Sequence, residues 1–200
     1  MKLATRINRL KRSEAGKRIR SRVQELKANQ KHFHELCFCL TTANSRARAG
    51  LKAQERPENF DCLNAGELAA YLKECGVRFH NAKAANIVNA RKVKSALPKA
   101  LAMPSQKARK WLADNVRGIG FKEASHFLRN IGRMDVAIID RHVMRAMKKE
   151  GLIEKEPKTI TRKKYLELED ALRPLARQTG LELGVLDFYL WFLETGEILK

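Results

Sequence analysis

The sequence predicts an all-α protein. Three observations carry this prediction. Apolar residues recur at helical spacing along nearly the whole chain. Capping and stop residues stand at the ends of those runs. Strand-like alternation is scarce. One extended-looking run, Val136-Ala137-Ile138-Ile139, is too short to build a sheet.

Taken in order, the first thirty residues read as a basic helical arm. Arg6, Arg9, Lys11, Arg12, Lys17, Arg18, Arg20 and Arg22 face only Glu14 and Glu25. A phosphate-facing surface looks like this, and so does a solvated helix face. Leu68, Tyr71, Leu72 and Cys75 then fall at i, i+3, i+4 and i+7. Asn64 and Glu67 are spaced as a capping box, and Gly76 is a stop signal. Ser105 is expected to cap a helix carrying Trp111 and Leu112. Gly132 and Gly151 are expected to close later helices. Tyr165, Leu168 and Leu172 mark another helix, which Pro174 should kink or end. Leu186, Tyr189, Leu190 and Leu193 mark the last.

The chain has 200 residues, which suits one compact unit or two small lobes. Its apolar fraction of 44% supports a core. Lysine and arginine total 41 against 22 acidic residues, a net charge of +19. Such a surplus attracts polyanions, so nucleic acid is the expected partner. A generally basic protein is the plainer reading of the same number. The basic start has no apolar segment of a secretory signal, and no apolar run reaches membrane-spanning length. We therefore expect a cytoplasmic, nucleoid-associated protein without a membrane partner. Cys37, Cys39, Cys62 and Cys75 fit no common zinc or iron–sulfur spacing. They read as reduced, mostly buried thiols, and no metal site is expected.

The segment Trp111 to Asn130, WLADNVRGIGFKEASHFLRN, is the most informative. It reads as helix, a six-residue turn centred on Gly118-Ile119-Gly120, then helix from about Phe121. Glycines two apart let the backbone turn tightly and expose N–H groups. The new helix adds its own free N–H groups and positive dipole end. That combination binds one phosphate without reading base sequence.

VRGIGFKEA resembles the hairpin of the helix–hairpin–helix DNA glycosylase superfamily. Asp140, in DVAIIDRHV, follows Lys122 by eighteen residues and resembles its catalytic aspartate segment. GIGFKEASHFLRNIG, FCLTTANSRARAGLKAQ and DFYLWFLETGEILK together resemble the type 2, archaeal-type 8-oxoguanine DNA glycosylases, from about residue 35 to the last residue. The resemblance implies two helical lobes with the active site in the cleft between them. Residues 30–133 would form the lobe with the hairpin, and residues 1–29 plus 134–200 the other. It implies a monomer acting on double-stranded DNA that contains 8-oxoguanine, with glycosylase and lyase activities. No cofactor is required, although such a hairpin can hold a monovalent cation on its carbonyls.

The chemistry explains the residue types. Base excision breaks the bond from C1′ to the base, leaving an anionic base and a cationic sugar. A neutral amine can attack C1′ and form a Schiff base, which acidifies the C2′ proton and permits β-elimination. The resemblance assigns the amine to Lys122, which by itself reads as a surface lysine in a first helical turn. Asp140 stands before Arg141-His142-Val143-Met144 and reads as an N-cap. A capping carboxylate suits electrostatic stabilisation of a cationic sugar, and the resemblance adds a part in activating Lys122.

The target base must leave the stack. Phe79, in GVRFHNAKAAN, stands on a turn between helices, where an apolar wedge could enter the duplex. His80 is its neighbour, and packing on the core is the alternative for Phe79. By resemblance, Trp191 stacks on the base and His142 approaches a phosphate. The terminal lysine Lys200 is tied to telling oxidised guanine from guanine, because its carboxylate can accept a hydrogen bond from the added N7–H. Their plain readings are core packing, a structural histidine and a frayed terminus. His126, one turn past Lys122, is expected to line the same pocket. Asp187 is a further candidate without a named partner.

Three alternatives compete. A glycosylase for another oxidised base, such as a pyrimidine, often carries a terminal iron–sulfur cluster, and the cysteines for it are missing. A non-catalytic hairpin DNA-binding protein needs Gly118 and Gly120 but not Lys122 and Asp140. An RNA-binding protein rests on charge alone, with no matching module.

Overall fold

A computed structural model describes residues 2–199, and all of its regular secondary structure is helical. In chain order the helices are α1 (Leu3–Lys11), α2 (Glu14–Lys27), α3 (His32–Thr42), α4 (Ala47–Gln54), α5 (Asn59–Cys62), α6 (Ala65–Glu74) and α7 (His80–Ala90). There follow α8 (Leu97–Leu101), α9 (Ser105–Asn115), α10 (Phe121–Asn130), α11 (Arg141–Lys149), α12 (Arg162–Thr179) and α13 (Leu183–Thr195). None is long and apolar enough to cross a membrane.

The chain divides into two compact units, Gln30–Phe127 and Met1–Asn29 with Leu128–Lys200. The boundary falls inside α10, six residues before the one the resemblance implies. Its last turn belongs with residues around Asn29, whose side-chain amide donates to the Asn130 carbonyl at 3.1 Å.

In the unit Gln30–Phe127, α3 is the central helix, buried from Leu36 to Thr42. It packs against α4 and α7, and α6 packs along α7. The capping box forms as spaced: Asn64 Oδ1 accepts from Glu67 N–H at 3.1 Å, and Glu67 Oε2 accepts from Asn64 N–H at 2.9 Å. Ser105 does not cap α9. Pro104 takes the N-cap position in extended backbone, and Ser105 enters the helix with its side chain buried.

In the other unit the basic arm also supplies core. Leu3 and Ile7 of α1 and Ile19, Val23 and Leu26 of α2 are buried at helical spacing. These helices pack on α12 and α13. Pro174 does not end α12, which runs on to Thr179 and stops at Gly180 in the left-handed conformation. Residues 136–139 belong to no helix or sheet.

Candidate functional site

The hairpin lies in the unit Gln30–Phe127. The turn occupies residues 116–120, between the end of α9 and the start of α10. Gly118 has φ +88°, which favours glycine, and a Cβ there would run into the Asn86 amide and Leu40. Ile119, at 5% exposure, pins the turn to the core. At Gly120 a Cβ would meet nothing nearer than Glu123 Oε2 at 3.4 Å, so its surface is open. The first N–H groups of α10 follow at once, with the positive end of its dipole. This turn can bind an anion.

Lys122 is the second residue of α10. Its ammonium nitrogen lies 3.6 Å from Glu123 Oε1, a loose pair, and it makes no hydrogen bond among the described residues. Its side chain is 31% exposed, so the amine is reachable yet partly shielded. His126, one turn on, is buried with its ring edge-on to Phe38 at 5.9 Å.

Phe79 caps the start of α7 at φ 57°, ψ 35°, a left-handed conformation that strains a bulky residue. It is 59% exposed, which decides against packing on the core, and the Arg78 guanidinium sits 5.4 Å from its ring.

Sequence reading missed Lys83. It is buried at 5% exposure, and its ammonium donates to the Thr41 carbonyl at 2.7 Å. Burial foremost, with Arg78 and Lys122 adding to it and Glu123 opposing, pushes its amine down to about 8. A signal existed: Ala84, Ile87 and Ala90 share its helix face, so Lys83 lies on an apolar stripe.

The second cluster lies in the other unit. Asp140 caps α11: its Oδ1 accepts from the N–H groups of His142 and Val143, each at 2.8 Å. Its other oxygen, Oδ2, has no partner among the described residues. A carboxylate fixed by one oxygen and open at the other can stabilise positive charge. His142 and Trp191 come together, their rings edge-on at 4.6 Å, as α11 packs on α13. His142 Nδ1 and Trp191 Nε1 are buried and make no hydrogen bond among the described residues. Asp187 faces Arg129 at 3.9 Å, and that guanidinium lies 4.1 Å from the Phe188 ring. Lys200 lies outside the described residues.

The family described as 8-oxoguanine DNA glycosylase matches residues 17–181. The chain is 44% identical to the 8-oxoguanine DNA glycosylase/AP lyase of Methanocaldococcus jannaschii, with all of both chains covered. A crystal structure of the Methanocaldococcus jannaschii 8-oxoguanine glycosylase/lyase, in complex with a 15-mer DNA containing 8-oxoguanine, superposes with a TM-score of 0.95 at 43% identity, covering 99% of each chain. The crystal structure of the 8-oxoguanine DNA glycosylase of Thermotoga maritima gives a TM-score of 0.94 at 40% identity, covering 99% of this chain and 98% of that one.

Proposed function

The chain belongs to the 8-oxoguanine DNA glycosylase family, and from that premise we propose that it acts in base-excision repair, removing 8-oxoguanine from duplex DNA and then cleaving the abasic strand. The hairpin around Gly118 and Gly120 holds a backbone phosphate near the lesion. Phe79 enters the duplex as the base turns out of the stack. Trp191 stacks on the extruded base, and His126 and the terminal carboxylate of Lys200 contribute to the pocket. His142 approaches a phosphate.

Lys122 then acts as the nucleophile. Its neutral amine donates an electron pair to C1′, and the bond from C1′ to the base nitrogen breaks. The base leaves with that bonding pair and takes up a proton. The sugar ring opens to a Schiff base between C1′ and the lysine nitrogen. Asp140, capping α11 through one carboxylate oxygen, stabilises the positive charge that develops on the sugar. Loss of a C2′ proton expels the 3′ phosphate by β-elimination, and water releases the lysine. These steps use only side chains and water.

The observation that carries this reading is the place of Lys122. An amine at the start of a helix, directly after an anion-binding turn and without a hydrogen-bond partner among the described residues, is suited to attack. Borohydride reduction in the presence of duplex DNA with one 8-oxoguanine tests it. The parent chain should form a covalent adduct, while Lys122→Gln should bind the same duplex and form none. An adduct of parental yield from Lys122→Gln refutes the assignment.

A further inference from the structure

The irregular residues before Asp140 pair with no strand. Side chains of α12 satisfy their backbone groups instead. Ala137 N–H donates to Glu169 Oε2 at 2.8 Å. The Tyr165 hydroxyl donates to the Ala137 carbonyl at 2.8 Å and accepts from Ile139 N–H at 3.0 Å. One hydroxyl therefore clamps residues 137 and 139, and each of its bonds polarises the other. Tyr165 is 2% exposed and Glu169 1%. Arg173 faces the other Glu169 oxygen at 3.6 Å. Val136, Ile138 and Ile139 are buried, so side chains and backbone of this segment are both fixed.

Asp140 comes directly after the clamp. Its Oδ1 is committed to the α11 cap, which leaves Oδ2 to meet the sugar. The direction of Oδ2 depends on the cap behind it and on the segment ahead of it. A carboxylate is seldom fully buried unless it is paired, and here Glu169 is buried with Tyr165 against a segment that apolar side chains already anchor. The bonds add angular precision to that anchoring.

We propose that Tyr165, seconded by Glu169, is a positioning residue for base excision: it clamps residues 137–139 so that Asp140 presents its free carboxylate oxygen to the sugar. This rests on the reading of Asp140 given above. Tyr165 touches no substrate and acts through Asp140. A residue that serves stability alone would change the fraction of active molecules. A positioning residue changes the rate of each active molecule.

Single-turnover excision of 8-oxoguanine from duplex DNA by the full chain separates these cases. The variants are Tyr165→Phe, Glu169→Gln and Asp140→Asn, assayed well below their melting temperatures. Three quantities are read: the rate constant, the active fraction from borohydride trapping, and the dissociation constant for the duplex. Misplacement of a reacting group by 1 Å costs about a hundredfold in rate, so partial release by Tyr165→Phe should cost about tenfold. Its affinity and active fraction should stay within about twofold of the parent. Glu169→Gln, whose amide oxygen can still accept from Ala137 N–H, should lose less, and it answers the same question if Tyr165→Phe does not fold. A parental rate for both variants overturns the proposal, as does a loss confined to active fraction or affinity. A parental rate for Asp140→Asn overturns the Asp140 reading itself, and this proposal with it. A slow Asp140→Asn beside a parental Tyr165→Phe overturns this proposal alone.

Discussion

Gly118 and Gly120 look interchangeable in the motif, and the structure separates them. Gly118 needs its positive φ and has no room for a Cβ beside Asn86 and Leu40, whereas Gly120 has both a permissive backbone and space. Gly118→Ala should therefore destabilise the fold by about 2 kcal/mol, lowering the melting temperature by roughly 5 °C. Gly120→Ala should melt close to the parent and instead bind duplex DNA more weakly, because the added methyl stands where a phosphate approaches. Thermal melting and a DNA titration of both variants check this contrast. The importance of both glycines was legible in the sequence, but their division of labour was not, because Asn86 is more than thirty residues away in the chain. Lys83 shows the same limit. Its apolar helix face was readable, but its burial depends on the Thr41 carbonyl, which only the packing of α3 against α7 brings to it.

At the scale of elements, helices with strong local signals form where the sequence puts them. The Asn64 and Glu67 capping box and the stripe of Tyr165, Leu168 and Leu172 are examples. A local rule failed at Ser105, which enters α9 in place of capping it, and Pro174 does not end α12, whose turns on both sides of the proline are buried. Glu169 was illegible, since a glutamate on a helix reads as solvated until the segment it bonds is in place. Asp140 has two roles that can be pulled apart. Asparagine caps helices about as well as aspartate, whereas alanine does not. Asp140→Ala should lose about 1 kcal/mol of stability together with activity. Asp140→Asn should keep the melting temperature and still lose most excision activity, since a neutral amide cannot balance a cationic sugar. Melting curves and excision rates of the pair decide it.

For the whole molecule, composition spoke first and said least. The net charge of +19 pointed to a polyanion without choosing among duplex, single strand or RNA. The division into two units was not readable from periodicity, because the residues up to Asn29 group with the chain from Leu128, within α10, onward, and no local pattern encodes that return. The charge does carry a quantitative expectation. Each neutralised phosphate contributes a slope of about −0.9 in log affinity against log salt. Raising potassium chloride from 50 to 200 mM should weaken binding to undamaged duplex by a hundredfold or more, on the order expected for several phosphate contacts. Lys122→Gln should keep a similar slope, because its charge serves the chemistry more than the grip.

The proposed mechanism turns on one bond, between the Lys122 nitrogen and C1′ of the lesion sugar. The most direct test is to digest the borohydride-trapped adduct with trypsin and locate the sugar by mass spectrometry. A modified Lys122 resists cleavage, so the sugar should ride on the fragment Gly118 to Arg129. A sugar carried instead by Lys83, or by the amino terminus, would contradict the central claim.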